Sequence, residues 1–349
     1  MDTFRFLIIS LMACCSCATA AFGVPLALNI DGDRFTVNGE PKYLVFVAYF
    51  DALRVSNENL ATDFAELRGK GVDGLRIFPN WWKWSDMKHF PEDTLMRGDG
   101  NLRSERLKKL KQVLDEATAH GLVVDVSFAF EMVEGLSDLR ADQLGKSQGQ
   151  LPVINAHIDD LERGLVAVTN ELQTYRNIFI DIQNEFNGRI THLDKEQVKR
   201  LRDAIKKADP RRLVTASLAN EIGPEEVAED TNELELDIVA WHESRNPWHY
   251  DTMDELTRRV KGVTNKPVYF GEPAYMDEGH GVDHFIAAVT NAKKGGAAAW
   301  TLHTQHGFDL ADARFFEKIS DAEKLFLDQY KRHVDQTTWG APATPDKKP

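Results

Sequence analysis

Residues 177–188 read Asn177-Ile-Phe-Ile-Asp-Ile-Gln-Asn-Glu185-Phe-Asn-Gly188, and the fold prediction is built on this stretch. The short apolar, β-branched run predicts a strand buried on both faces, and polar groups follow directly where the strand ends. A second stretch, Lys266-Pro-Val-Tyr-Phe-Gly-Glu272-Pro-Ala-Tyr275, has the same form. Each therefore predicts a parallel strand with a glutamate at its carboxyl end.

Six more runs of this kind occur along the chain, separated by stretches with helical periodicity such as Leu60, Phe64 and Leu67. This alternation predicts an α/β fold, the (β/α)8 TIM barrel, with a short N-terminal β-hairpin marked by the pair Asn38-Gly39. A doubly wound sheet is the alternative, but its glycine-rich phosphate loop is missing after the first strand. The predicted strands cover residues 43–48, 74–78, 122–128, 178–183, 213–217, 237–241, 268–271 and 297–302.

The N-terminus predicts a signal peptide over residues 1–20. It has one positive side chain, Arg5, then an apolar stretch over 6–17 that is too short to span a membrane, and a small-residue cleavage site at 18–20. A bacterial lipoprotein signal with a lipid on Cys14 is the alternative. We therefore expect export to the periplasm, the extracellular space or a lipid anchor outside the cell.

The remaining chain predicts one barrel domain over residues 21–335 and a disordered tail over 336–349, which contains three prolines. All three cysteines lie within the signal, so the mature chain would have no disulfide and no cysteine ligand for a metal. The net charge of −13, without a basic stripe, argues against nucleic acid as a partner. No further stretch is apolar enough to predict a membrane span.

Polar and aromatic side chains stand where several predicted strands end. The carboxyl ends of all barrel strands meet at one face, so these side chains should lie close together. Two carboxylates at such a face suit cleavage of a glycosidic bond, because one can act as an acid while the other stays ionised. The candidates are Arg76 and Trp81 after the second strand, Asn184 and Glu185 after the fourth, His242 after the sixth, Glu272 after the seventh, and Trp300 on the eighth.

This set, without Trp81, resembles the signature of the clan of retaining glycoside hydrolases with (β/α)8 barrels, which includes cellulases and mannanases. The resemblance implies hydrolysis of β-glycosidic bonds in a poly- or oligosaccharide by double displacement, with no cofactor. Glu185 would be the general acid/base and Glu272 the nucleophile. A transglycosylase with the same site and a non-catalytic sugar-binding barrel are the alternatives.

The other members of the set have implied or chemically expected roles. Arg76 would keep Glu272 ionised by its opposite charge, although pairing with a structural carboxylate such as Asp125 is the alternative. Asn184 would donate a hydrogen bond to the sugar 2-hydroxyl, and His242 would lie in the site. Trp300 would offer a flat face under the sugar at the cleavage point, and Trp81 could stack on a further sugar unit.

The sequence departs from the family 5 cellulases of this clan at three strand ends. Phe186 follows Glu185, where those enzymes usually have proline. Their third-strand histidine is missing from Val124-Asp-Val-Ser127-Phe128, and so is the sixth-strand tyrosine that contacts the nucleophile. Tyr275 or Tyr49 are the candidates to replace that tyrosine. The first strand lacks the His-x-His of metal-dependent barrels, so we expect no metal. Weaker candidates for contact with the substrate are Glu243, His303 and His306.

Overall fold

A computed structural model describes residues 26–80, 94–129, 153–187, 193–219, 222–243, 248–273, 276, 281–311 and 313–342. Eight short parallel strands form its central sheet, and their burial on both faces explains why each reads as a near-continuous apolar run. The strands are β4 (Leu44–Ala48), β5 (Gly74–Ile77), β6 (Val123–Ser127), β7 (Ile178–Asp181), β8 (Leu213–Thr215), β9 (Val239–Trp241), β10 (Val268–Phe270) and β11 (Ala299–Leu302).

The sheet closes on itself. Each strand from β4 to β8 pairs with the next in sequence, as do β9 to β11, and β11 pairs in parallel with β4. A bridge between Leu218 and Trp241 joins the β8 and β9 ends, where the Leu218 N–H donates to the Ala240 carbonyl at 3.0 Å. The prediction of a (β/α)8 barrel is therefore confirmed, and each predicted strand coincides with an observed one to within two residues at either end.

Helices surround the barrel and bury their apolar faces against its outer surface. Leu60, Phe64 and Leu67, the stripe seen in the sequence, are buried in this outer layer. In the described residues no helix is long and apolar enough to cross a bilayer. The helices are α1 (Asn57–Gly69), α2 (Ser104–Ala119), α3 (Val153–Glu171), α4 (Lys195–Ala208), α5 (Pro224–Glu233), α6 (Trp248–Val263), α7 (Val282–Gly295), α8 (Phe315–Lys318) and α9 (Asp321–Gln336).

A small antiparallel sheet of β1 (Leu28–Asp31), β2 (Arg34–Val37) and β3 (Glu40–Pro41) covers the N-terminal end of the barrel. Asn38 and Gly39 both have positive φ, 53° and 88°, as the tight turn of the predicted hairpin requires. Phe35 of this sheet stacks on Phe179 inside the barrel, with ring centroids 6.2 Å apart. The hairpin therefore seals the end opposite the carboxyl ends of the strands.

The boundary predicted for a disordered tail at residue 336 was too early. Trp339 donates its indole N–H to the Ala297 carbonyl at 2.8 Å, and the Arg34 guanidinium lies 4.1 Å from its ring centroid. These contacts hold residues up to 342 against the barrel, because the indole ring buries apolar surface that a disordered tail would expose. Residues 343–349 and the predicted signal over residues 1–20 lie outside the described part of the chain.

Candidate active site

The site is built around Arg76, whose side chain is fully buried at the end of β5. Its Nη1 donates to Glu272 Oε2 at 2.8 Å, and its Nη2 donates to Asn184 Oδ1 at 2.7 Å. One guanidinium thus links the ends of the second, fourth and seventh barrel strands. Since both ends of the fork are bound, Glu272 and Asn184 are held in fixed positions relative to each other.

Glu185 lies beside this group on a strained segment of backbone. Its φ is +50°, a region that costs a non-glycine residue about 1–3 kcal/mol and recurs at functional sites. The segment is held in place because the Glu185 N–H donates to Ser217 Oγ at 3.1 Å and the Asn184 N–H donates to the Phe128 carbonyl at 2.6 Å. The conformation turns the two consecutive side chains of Asn184 and Glu185 toward the site.

His242, at the end of β9, connects the two glutamates. Its Nδ1 lies 3.0 Å from Glu185 Oε1 and 3.6 Å from Glu272 Oε2. One carboxylate oxygen of each glutamate and one ring nitrogen of His242 lie within 4.8 Å of one another. Gly271 leaves room for the imidazole, because a Cβ at that position would lie 3.2 Å from His242 Nε2.

A group of two carboxylates and one imidazole is also close enough to share a metal ion. Arg76, however, already places a positive charge 2.8 Å from Glu272 Oε2. A second cation on the same oxygen would be repelled by that guanidinium. The donor set therefore fits acid–base and nucleophilic chemistry better than cation binding.

The two glutamates differ in environment. The Glu185 side chain is 37% exposed, whereas that of Glu272 is 11% exposed. Burial raises the pKa of the Glu272 carboxyl. The positive charges of His303, His242 and Arg76 outweigh this effect and hold the pKa below its ordinary value. Glu272 is thus kept ionised, while Glu185 can exchange protons with solvent.

A layer of buried polar side chains lies beneath Glu272 in the barrel. Asp125 and Asp181 flank Arg76, with Asp125 Oδ2 3.2 Å from Nε and Asp181 Oδ2 3.5 Å from Nη2. Ser127 Oγ accepts from Arg76 Nε at 3.0 Å, and the Tyr269 hydroxyl donates to Asp125 at 3.1 Å. Arg76 therefore has both roles that the sequence allowed, because it binds the active-site glutamate and the structural carboxylate Asp125.

Three phenylalanines that the sequence analysis did not single out line the same end of the barrel. Phe50 stacks on Phe78 and on Phe308, with ring centroids 4.4 and 4.1 Å apart. The Arg76 guanidinium lies 4.8 Å from the Phe78 ring centroid. These rings exclude water from one side of Arg76 and so strengthen its charge interactions. Phe50 and Phe78 follow the first and second strands, and this strand-end position was the available signal.

Trp300 does not lie at the site, so its prediction as a sugar platform was wrong. The ring is fully buried on the outer face of β11, with its centroid 6.3 Å from Phe285 of α7 and 5.7 Å from Phe326 of α9. Neighbouring side chains of a strand point to opposite faces, so His303, three residues on, points into the barrel. His303 Nε2 lies 3.7 Å from Glu272 Oε1.

The other residues that the sequence suggests for the site make their contacts elsewhere or lie outside the described residues. Tyr49 faces the helices, where its hydroxyl donates to Asp63 at 2.8 Å, so it does not replace the missing tyrosine. Glu243 is buried and pairs with His249 at the start of α6. His306 lies 3.9 Å from Glu323 of α9. Trp81 and Tyr275 lie outside the described residues.

The fold and the site define a class: (β/α)8 barrels with a carboxylate after the fourth strand and another after the seventh. No family model and no curated protein matches the sequence. Solved structures do match the fold. An endo-1,4-β-mannanase from Rhizomucor miehei superposes with a TM-score of 0.64 at 13% identity, over 89% of this chain and 99% of that one.

Two further solved structures match the fold at similarly low sequence identity. A β-1,4-D-mannanase from Cryptopygus antarcticus gives a TM-score of 0.60 at 13% identity, covering 91% of this chain and 99% of its own. GH5_18 from Streptomyces cattleya, in complex with Manβ1-4GlcNAc, gives 0.61 at 14% identity over 85% and 82%. At these identities the likeness concerns the fold, which is that of the clan that the sequence resembles.

Proposed function

We propose that this protein is a retaining glycoside hydrolase that cleaves β-glycosidic bonds by double displacement. The observation that carries the proposal is the distance between the two glutamates, whose nearest carboxylate oxygens lie within 4.8 Å of each other. Retaining enzymes keep their carboxyl groups about 5–5.5 Å apart, whereas inverting enzymes need about 6.5–9.5 Å to admit a water molecule. The spacing supports attack by a carboxylate rather than by water.

In the first step Glu272 attacks the anomeric carbon while the bond from that carbon to the leaving oxygen breaks. Glu185 gives its proton to the leaving oxygen. Arg76 orients Glu272 for the attack and keeps it ionised. Asn184 accepts a hydrogen bond from Arg76 through Oδ1, so its amide nitrogen is the side that can donate to the sugar 2-hydroxyl.

In the second step water attacks the anomeric carbon and releases Glu272 as a carboxylate. Glu185 removes the proton from that water and returns to its starting state. The same group must therefore change its charge twice in each cycle. His242, 3.0 Å from Glu185, holds the carboxyl in place during both transfers, and the solvent exposure of Glu185 permits exchange of the product and the water.

We further propose a β-1,4-linked substrate containing mannose. Two of the solved structures with this fold are named as β-1,4-mannanases, and a third holds Manβ1-4GlcNAc. A neutral glycan also suits a chain with a net charge of −13, which would repel acidic polysaccharides. The first substrates to test are mannan oligosaccharides, with cello-oligosaccharides for comparison.

The deciding experiment follows the anomers of the product by NMR during the first minutes of hydrolysis. A retaining enzyme releases the β-anomer first, and mutarotation then produces the α-anomer. Early release of the α-anomer would rule out the double displacement. In parallel, a 2-fluoro glycoside that traps the glycosyl-enzyme should label the wild-type protein at Glu272, as located by peptide mass spectrometry.

Export remains a proposal as well. The N-terminal sequence of the protein recovered from its native cells distinguishes the two signals that the sequence predicts. Cleavage after Ala20 would indicate a soluble exported enzyme, and a lipid-modified N-terminus at Cys14 would indicate an anchored one. An intact N-terminus at Met1 would contradict both.

A further inference from the structure

In the barrel interior, the guanidinium of Arg76 lies between three carboxyl groups. Arg76 lies within 3.5 Å of Glu272, Asp125 and Asp181. All three acids are largely buried, and an uncompensated buried charge is costly. His242 and His303 lie against Glu272, at 3.6 Å and 3.7 Å, whereas Asp125 and Asp181 depend on the guanidinium for their counter-charge. Three ionised carboxyl groups around this one guanidinium are therefore disfavoured at neutral pH. One of the three carboxyl groups should hold a proton.

The hydrogen bonds indicate which acid holds it. Asp181 Oδ1 accepts from the backbone N–H of Ser217 at 2.9 Å, and an N–H group can only donate, so this contact favours ionised Asp181. Besides Arg76, the partners of Asp125 are hydroxyl groups, Ser127 Oγ at 2.9 Å and the Tyr269 OH at 3.1 Å. Ser127 Oγ also lies 3.2 Å from Asp181 Oδ2, so its single hydrogen can turn to Asp181 when it accepts a hydrogen bond from Asp125. A hydroxyl group can reverse its role and accept a hydrogen bond from a neutral carboxyl group.

Asp125 can therefore stay hydrogen-bonded in either protonation state, while Asp181 is better suited to the charged one. Thr301 Oγ1 donates to the Tyr269 hydroxyl at 3.0 Å, and this bond can reverse so that Tyr269 donates to Thr301 when it accepts from Asp125. Electrostatics agree with this reading. Burial, together with the charge of Asp181, raises the pKa of the Asp125 carboxyl to about 7, against the lowering effect of Arg76.

We propose that Asp125 is a positioning residue for Glu272, which acts through Arg76 by holding a proton and so leaving the guanidinium charge to the active-site carboxylate. The inference rests on the proposed function only in that Glu272 is its nucleophile. The charged and titratable groups around Asp125 are Arg76, Asp181 and Tyr269, with Glu272 on the far side of Arg76. His242 and His303 lie beyond it, against the Glu272 carboxylate at 3.6 and 3.7 Å. If Asp125 loses its proton, the carboxylates of Asp125, Asp181 and Glu272 compete for the guanidinium of Arg76.

This competition is reciprocal. Ionised Glu272 draws on the charge of Arg76 and so raises the pKa of the Asp125 carboxyl, and ionised Asp125 has the same effect on Glu272. Removing the charge of Glu272 should therefore make Asp125 lose its proton at lower pH. A purely structural aspartate, bound to Arg76 but not coupled to the site, would titrate at the same pH in both proteins.

The test is a pH titration of the full-length protein with ¹³C-labelled aspartate carboxyl groups, followed by NMR. In the wild type, one aspartate signal of the Asp125–Asp181 pair should titrate near pH 7, and Asp125→Asn should remove it. In Glu272→Gln the midpoint should fall by roughly one pH unit, as expected for one charge removed from a buried cluster. Two results would overturn the proposal: an unchanged midpoint in Glu272→Gln, or a pair that has fully ionised by pH 5.

Matched controls come from the same chain. Glu323→Gln changes another buried glutamate, at the start of α9, and should leave the midpoint unmoved. Asp63 is a buried aspartate in the outer layer, and its signal should respond to neither variant. If Asp125→Asn does not fold, the Glu272→Gln comparison still decides. The readout needs no turnover, so a protein that shows the coupling but hydrolyses no glycan would contradict the proposed function alone, and hydrolysis without coupling would contradict only this inference.

Discussion

The two halves of the barrel interior have opposite chemistry. The half under the N-terminal hairpin is filled by aromatic rings, with Phe46, Phe179 and Tyr269 forming a cluster whose ring centroids lie 5.2–6.2 Å apart. The half toward the carboxyl ends holds Arg76 and its carboxyl partners. Tyr269 spans the boundary, since its ring packs below and its hydroxyl reaches Asp125 above.

The difference shows how one scaffold separates stability from function. The apolar half lowers the free energy of the folded state through burial alone. The polar half removes charges from water, and such groups are retained where a site needs them rather than for stability. We therefore expect substitutions above Tyr269 to change chemistry or pH dependence, and substitutions below it to change only the free energy of unfolding.

Glu272→Gln should have the largest effect in the upper half. Loss of the proposed nucleophile should lower kcat by more than about a thousandfold, while the free energy of unfolding changes by less than about 1 kcal/mol. Initial rates on mannan oligosaccharides and urea denaturation measure the two quantities. Glu323→Gln is the matched control, because Gln can also serve the helix cap that Glu323 forms with Ser320. Activity within a few-fold of wild type in Glu272→Gln would remove it as the nucleophile.

Arg76→Met should lower the free energy of unfolding. It removes the guanidinium that Asp125, Asp181 and Glu272 share, and breaking such a buried group typically costs about 3–5 kcal/mol. The loss should be greater at pH 8 than at pH 5, because the carboxyl groups are more ionised at pH 8. Urea midpoints at the two pH values measure it. A variant as stable as wild type at pH 8 would contradict the view of Arg76 as the shared counter-ion.

Phe179→Ala tests the lower half. Truncating a ring that packs against Phe35, Phe46 and Tyr269 should cost about 3–5 kcal/mol of unfolding free energy. Measured well below the melting temperature, kcat should stay close to wild type. A selective loss of kcat in the folded variant would show that the two halves are not separate.

The sequence predicted the strand-end residues well because two simple rules were enough. Apolar runs locate barrel strands, and the carboxyl ends of those strands meet at one face. These two rules predict that Glu185, Glu272, Arg76, Asn184 and His242 lie together, and the structure brings all five into one connected group of contacts. Trp300 was misplaced because the alternation of side chains along β11 was not followed. Thr301 contacts Tyr269 inside the barrel, so Trp300 must face outward.

The charge distribution around Arg76 could not be predicted in the same way. Asp125 and Asp181 are visible as acids within apolar runs, but their meeting depends on strand register. Arg76 pairs with Asp125 across β5 and β6, and Ser127 pairs with Asp181 across β6 and β7. That register follows from closure of the whole barrel, which no local pattern encodes. The role of His303 depends on the same closure, which sets its distance to Glu272.

Asp125→Asn should change how stability depends on pH. The pKa of Asp125 is about 7 in the folded protein and 3.8 as its ordinary value, so the folded state holds the proton more tightly. Binding of this proton therefore stabilises the folded wild type fully below about pH 4. The stabilisation is lost as the pH rises from about 4 to 7, and it amounts to no more than about 4 kcal/mol. The neutral asparagine should remove this part of the decline. Urea midpoints at pH 5 and pH 8 give the difference, and an equally steep decline in both proteins would contradict it.

Trp300→Phe should have the smallest effect on catalysis, although tryptophan often stacks on sugars. The ring lies outside the barrel, against Phe285 and Phe326, so it belongs with the apolar regions. We expect kcat/KM within about threefold of wild type and a stability loss of about 1–2 kcal/mol. His303→Ala is the informative partner, because His303 lies on the same strand end but faces Glu272. If Trp300→Phe lost more activity than His303→Ala, the outward orientation of Trp300 would have to be abandoned, and with it the inward position that the same alternation gives to His303.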